Sequence, residues 1–285
     1  MPSVNYRHAY HAGNFADVVK HSFLLLLIEH LLKKDKPFCY LETHSGSGRY
    51  RLPEATAERV PEYVDGIERL LHARHLQGAL LRYFRLIKGF NDSGEMIPRL
   101  RMYPGSPLIA AQLLRAQDRM LLCELHADEA ESLQALFRGD SRAHVQARDG
   151  YQAISALLPP TPRRGLVLID PPFERPDEFS AIILALKTAL QRWPLGIYAV
   201  WYPIKRRTDV QPFLRAASKL VCEEIISAEL SVHPDDTNLR LNGCGMLILN
   251  PPYGFAQPAQ ELLQDLNKLL SQSRFGRAEL LSIRG

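Results

Sequence analysis

The chain has 285 residues, 46% of them hydrophobic and 23% charged, which excludes extended disorder and provides apolar surface for one large α/β domain, with or without an inserted piece. Its 35 Lys and Arg against 31 Asp and Glu leave a net charge of +4, which permits a polyanionic partner without demanding one. Four cysteines without a CxxC pair exclude a zinc ribbon and a disulfide-stapled scaffold.

The opening MPSVNYRHAYHAGN lacks the apolar run of a signal peptide. Residues 14–34 then read as a helix, with Asn14 as its cap and Asp17 in its first turn. Its richest run, FLLLLIEHLL, is broken by Glu29 and His30 and is too short to span a bilayer. The expectation is a cytoplasmic protein with no membrane association. PFCYLE follows as a strand, and HSGSG as a tight turn flanked by Arg49 and Arg51. Residues 53–100 carry two helical patterns, EYVDGIERLLHARH and ALLRYFRLIKGFN, without a central strand. They read as a helical insertion, leaving 1–52 and 101–285 as the core. A helix resumes near Ser106.

Strand patterns follow at RMLLCEL (119–125), SRAHVQARD (141–149) and RRGLVLIDPPF (163–173), with helical stretches between them. GIYAVWYP (196–203), KLVCEEIISAELSV (219–232) and CGMLILNPPY (244–253) are further strand candidates, and the tail reads as a helix with an irregular end. This alternation predicts an α/β fold, a mostly parallel sheet with helices on both faces. Cys39, Cys123 and Cys244 lie in or beside apolar strands, as buried free thiols do.

Ligands of open α/β sheets bind at the carboxyl ends of strands. Four strand candidates end in an acid there: Glu42, Glu124, Asp149 and Asp170. With the glycine turn, this set suits S-adenosylmethionine. Glycines let the backbone approach the amino-acid portion, one acid can accept both ribose hydroxyls, and another can accept from the adenine amine. Asp170-Pro171-Pro172-Phe173 sharpens the reading. Two prolines fix the turn and remove its amide donors, so the Asp170 carboxylate and the Pro171 carbonyl can both accept from one exocyclic amine. Phe173 offers a face on which to stack the base. A sulfonium methyl is already activated, so this chemistry calls for no metal. A second proline turn, Asn250-Pro251-Pro252-Tyr253, closes a late strand expected at or near the antiparallel edge, and it reads as structural.

At these residues the chain resembles the RlmJ family of bacterial 23S ribosomal RNA adenine-N6 methyltransferases. The likeness runs through YRHAYHAGNFADVVKH (6–21), DKPFCYLETHSGSGRY (35–50), YPGSPLIA (103–110), CELH (123–126), RDG (148–150), RRGLVLIDPPFE (163–174), GIYAVWYP (196–203) and GMLILNPP (245–252). It implies a Rossmann-like methyltransferase core with a small helical insertion. It implies S-adenosylmethionine contacts at Lys20, His21, His44, Ser106, Glu124, Asp149, Gly150 and Asp170, with Asp170 also the catalytic acceptor. It implies that Tyr6 meets the substrate, whose adenine lies at position 2030 of 23S rRNA in the usual bacterial numbering. Arg7 and His8 beside Tyr6 add cationic groups suited to phosphate. Glu42, Ser45 and Phe173 depart mildly from the family pattern, where Asp, Ala and Tyr are expected. The expected partner is free or early-assembly 23S rRNA, met by a monomer. From the residues alone, Lys20-His21 reads as a surface or cap feature and Ser106 as a helix cap. A DNA adenine methyltransferase, an inert RNA-binding scaffold on the same fold and an NAD-dependent oxidoreductase are the competing readings. The small insertion counts against the first, the intact acid series against the second. The third rests on the glycine turn alone.

Overall fold

The computed structural model describes residues 11–53, 60–91, 100–234, 241–272, 274 and 276–283. Asn14 caps α1 (Phe15–Leu32) by accepting from the Asp17 amide at 3.0 Å. Helix α1 shows no amphipathic stripe because it is covered on almost every side. It packs between the sheet and the other helices of one face. Strand β1 (Cys39–Glu42) follows, then the glycine turn and a short strand β2 (Arg49–Arg51).

Strand β2 pairs antiparallel with β3 (Met102–Pro104), a two-stranded ribbon that the apolar pattern did not reveal. Between them lie a 3-10 turn (Glu62–Asp65), α2 (Ile67–Leu71) and α3 (Gly78–Phe90). Helix α3 turns Ala79, Leu80, Tyr83 and Ile87 into the same apolar core as α1. The chain continues through α4 (Ser106–Leu113), β4 (Arg119–Glu124), α5 (Ala127–Leu136), β5 (Ala143–Ala147), α6 (Gly150–Leu157), β6 (Gly165–Ile169), α7 (Glu178–Arg192) and β7 (Ile197–Ile204). It ends through α8 (Arg207–Ala217), β8 (Ile225–Ser231), β9 (Gly243–Leu249), α9 (Ala256–Leu270) and β10 (Arg277–Ser282).

The main sheet has the order β10-β8-β9-β7-β6-β1-β4-β5. Strands β7, β6, β1, β4 and β5 run parallel, and β9, β8 and β10 extend the sheet by antiparallel pairings. The central strands read as continuous apolar runs because both faces are covered, and alternate residues serve alternate cores. In β6, Leu166 and Leu168 join the core under α1, α4 and α9, while Val167 and Ile169 join the core under α6, α7 and α8. This is the expected Rossmann-like architecture, with one correction. The tail is not irregular after its helix: RAELLS forms β10 against β8. Strand β9, expected at or near the antiparallel edge, lies third from it, between β8 and β7.

Candidate active site

The four acids close four neighbouring strands. Across the sheet the series runs Asp170 after β6, Glu42 at the end of β1, Glu124 at the end of β4 and Asp149 after β5, all on the carboxyl rim of the parallel strands. The order is set by the crossovers, so residues more than a hundred apart in the chain share one rim, where ligands of open α/β sheets bind.

Glu124 organises the glycine turn. Its Oε2 accepts from the Gly46 amide and its Oε1 from the His126 amide, both at 2.8 Å. Gly46 has φ +57°, and a Cβ there would sit 2.1 Å from the Tyr50 hydroxyl, so no other residue fits this turn unstrained. Asp149 caps α6, taking the Tyr151 and Gln152 amides at 2.9 Å on Oδ1, so neither cap bond uses Oδ2. Gly150 is required by close approach: a Cβ would meet the Thr43 carbonyl at 2.1 Å.

His44 sits between these acids. Its Nδ1 lies 2.8 Å from the Thr43 hydroxyl, and its ring meets the edge of Tyr151 at 5.2 Å between centroids. Burial pushes its pKa down to about 4, against the pull of Asp170 and Asp149, so the imidazole is neutral near pH 7. Glu42 is wholly buried beneath the rim. The Ser106 hydroxyl and, at 2.8 Å, the Tyr40 hydroxyl donate to it. Burial pushes its carboxyl up to about 8, although both hydroxyls and Lys20 oppose the shift. Ser106 is therefore not a cap. Gly105 holds that position, and the serine hydroxyl is spent on Glu42.

Lys20 and His21 are not surface features either. Both are buried in α1. Lys20 Nζ lies 2.5 Å from Asp170 Oδ2 and 2.9 Å from Asp17 Oδ1. Burial alone would lower its pKa, but Asp17 and then Asp170 hold it well above the ordinary lysine value. His21 Nδ1 lies 2.8 Å from the Tyr103 hydroxyl, which in turn lies 2.7 Å from that of Tyr83. A Lys and an Asp three residues apart in the first half of a largely apolar helix were the signal available in the sequence. A charged pair on such a helix must find its partners inside the fold.

The Asp170 turn opens onto the rim. Pro171 is buried, while Asp170 and Phe173 are half-buried. Phe173 adopts φ +52°, an uncommon conformation for a bulky residue. Its ring meets Phe179 at 5.2 Å and Trp201 at 5.7 Å, edge to face, and Phe179 stacks on Phe213. Two β7 residues, Trp201 and, through Phe213, Tyr202, thus buttress the turn; Trp201 was not among the residues singled out. The structure brings together Lys20, His44, Ser106, Glu124, Asp149, Gly150 and Asp170 around one rim, with Pro171 and Phe173 in its turn. It puts His21 one contact further away, on Tyr103. Tyr6, Arg7 and His8 lie outside the described residues.

The sequence profile described as "Ribosomal RNA large subunit methyltransferase D, RlmJ" matches residues 35–281. The chain belongs to the RlmJ family. It is 42% identical to the ribosomal RNA large subunit methyltransferase J of Escherichia coli over 275 residues, covering 96% of this chain and 97% of that protein. It is likewise 42% identical to the Haemophilus influenzae protein of the same name, covering 94% of each. A crystal structure of protein LPL1258 from Legionella pneumophila superposes with a TM-score of 0.86 at 38% identity, covering 95% of this chain and 98% of that one. The matched residues include all four strand-end acids and both proline turns, and Lys20 and His21 precede them. Among the described residues, no helix is long and apolar enough to cross a membrane, and no cluster of His, Cys, Asp and Glu is arranged to hold a metal ion.

Proposed function

We propose that the chain transfers a methyl group from S-adenosylmethionine to the exocyclic N6 amine of an adenine in 23S rRNA, at the position the family resemblance implies. One observation carries the reading: four acids close adjacent strands along one rim of the sheet, and the rigid Asp170-Pro171-Pro172-Phe173 turn stands at one end of that row.

The residues present fit the cofactor. Gly46 and Gly150 let the turn pack directly against Tyr50 and Thr43, which fixes the rim, and Glu124 and Asp149 on that rim are acceptors for hydroxyl and amine groups. A neutral His44 adds no repulsive charge near a sulfonium. Lys20, His21 and Ser106 complete the set by resemblance. When bound, S-adenosylmethionine supplies an activated methyl group, so the reading calls for no metal.

The chain's own task is to present the amine. Its nitrogen is a weak nucleophile because the lone pair is delocalised into the base. Asp170 and the Pro171 carbonyl, accepting its two N–H bonds, would orient it and favour the positive charge that develops on it. Because Asp170 Oδ2 is engaged by Lys20, Oδ1 is the oxygen left to the substrate. Phe173, held by its aromatic neighbours, would stack the base. Tyr6, Arg7 and His8 would form the RNA-facing entrance, and residues 53–100 a helical insertion beside it. We place the protein in the cytoplasm, acting as a monomer on free or early-assembly rRNA.

Methyl transfer to matched RNA and DNA fragments, and then to free rRNA, 50S particles and 70S ribosomes, tests this reading. Methylation of free rRNA is expected, with none of DNA; preference for DNA or for the 70S particle would contradict it.

A further inference from the structure

Lys20 stands between two carboxylates, and only one of them belongs to the proposed catalytic turn. Its Nζ lies 2.5 Å from Asp170 Oδ2 and 2.9 Å from Asp17 Oδ1. The Lys20 and Asp17 side chains are 5% and 4% exposed, against 15% for Asp170. Asp17 also accepts the Gly13 amide on Oδ2 at 2.9 Å. Gly13 is fixed from its other side, where its carbonyl accepts the Ile67 amide at 2.8 Å. Glu62, just before α2, accepts from Asn14 and pairs with His11. The turn through which the amino-terminal segment enters the fold is thus tied to the ammonium that touches Asp170.

We infer that Asp17 is a positioning residue for methyl transfer, keeping the Lys20 ammonium charged and seated on Asp170 while Asp170 engages the substrate amine. The inference rests on Asp170 being the catalytic acceptor.

The physical case concerns what happens when Asp170 is used. A buried ammonium needs a close counter-charge, or it loses its proton or moves. Asp170 must give part of its acceptor capacity to the amine and, during transfer, share its charge with a developing cation. Asp17 lies outside the proposed catalytic turn, where it holds Lys20 on Oδ1 and the Gly13 amide on Oδ2. It can therefore hold Lys20 throughout turnover. The other ionisable groups near Lys20 cannot take its place. Glu42 from β1 is pushed toward its neutral form, Tyr50 from β2 and Tyr83 from α3 are pushed away from ionisation, and so is Cys244 from β9. Tyr103 faces Asp17 and is also held neutral, as is His44 facing Asp170.

Asp17→Asn keeps the shape and an oxygen for the Gly13 amide but removes the charge. Single-turnover methylation by this variant should fall by about tenfold or more. The alkaline limb of its pH–rate profile should move down by about one pH unit or more, because Lys20 loses a counter-charge. S-adenosylmethionine affinity should stay within about threefold, and Asp17→Glu should return the limb toward its original place. A purely structural role would lower thermal stability and leave the limb unmoved, which would overturn the proposal. A measurement independent of Asp17 variants is nitrogen-15 NMR of lysine-labelled Asp170→Asn protein. Lys20 should remain protonated above the ordinary lysine range, since Asp17 still holds it. Titration at the ordinary value would overturn the proposal. Failure of the Asp170 assignment itself would appear separately, as methylation by Asp170→Ala.

Discussion

The molecule carries two proline turns of nearly the same sequence, and they have opposite characters. Asp170-Pro171-Pro172-Phe173 and Asn250-Pro251-Pro252-Tyr253 each follow a fully buried apolar strand, and each contains one non-glycine residue near φ +50°. Strand β9 runs antiparallel to β7, with Leu249 opposite Tyr198 near the start of β7, so Asn250 emerges on the opposite rim from Asp170. There its carboxamide is consumed by the fold. It donates to the Pro194 and Gly196 carbonyls at 2.7 and 2.9 Å and accepts from the Glu223 amide at 3.2 Å. Asp170 instead meets a buried lysine and shares its rim with three other acids. The aromatic residues differ too: Phe173 is packed among aromatic rings, whereas Tyr253 is fully exposed. A four-residue motif thus acquires a role from strand direction and from what already occupies its leading side chain.

The largest effect that would sharpen this contrast is expected at Asp170. Asp170→Asn retains one acceptor oxygen and removes the charge facing Lys20. Methyl transfer should fall by about 10²–10³-fold, as when one preorganised catalytic hydrogen-bonding group is lost. Circular dichroism should show a native fold. Asn250→Ala should do the reverse. Losing three hydrogen bonds, and placing a Cβ residue with no compensating side chain in the left-handed region, should cost about 2–4 kcal/mol of stability. Urea unfolding would show this as a lower midpoint, with the rate per folded molecule unchanged.

A smaller effect concerns the buried acid between Asp170 and Glu124. Glu42 has its carboxyl pushed up to about 8 from an ordinary value of 4.5, so the folded state holds its proton more tightly than the unfolded chain. Its contribution to stability is full below pH 4.5 and is lost as pH rises through 8. Glu42→Gln should remove that part of the slope in chemical unfolding followed across this range, and an unchanged slope would place the ionisation elsewhere.

Much of this contrast was legible in the chain. Strand-end acids can be read because apolar runs mark the strands and the acids terminate them, but chain order sets Asp170 next after Asp149, whereas the crossovers put β1 and β4 between their strands and seat Asp170 beside Glu42. The structural reading of Asn250 followed from its late position near the antiparallel edge, and β9 lies third from that edge, with β8 and then β10 beyond it. RAELLS has no long apolar run and no strict alternation of apolar and polar residues, so its strand state depends on pairing with β8. The β2–β3 ribbon has three residues per strand and is likewise set by tertiary pairing. Ser106 resembled a cap because its partner, Glu42, is distant in sequence. Lys20 was hidden for the same reason, its partner Asp170 lying 150 residues away.

The central claim is that chemistry resides in the first proline turn and structure in the second. Its most direct test is single-turnover methylation of an adenine-containing rRNA fragment by Asp170→Ala and Asn250→Ala, each first confirmed to be folded and to bind S-adenosylmethionine. The account predicts no detectable transfer by Asp170→Ala and a near-normal rate for the folded fraction of Asn250→Ala. A near-normal rate for Asp170→Ala, or selective loss of chemistry in Asn250→Ala, would contradict it.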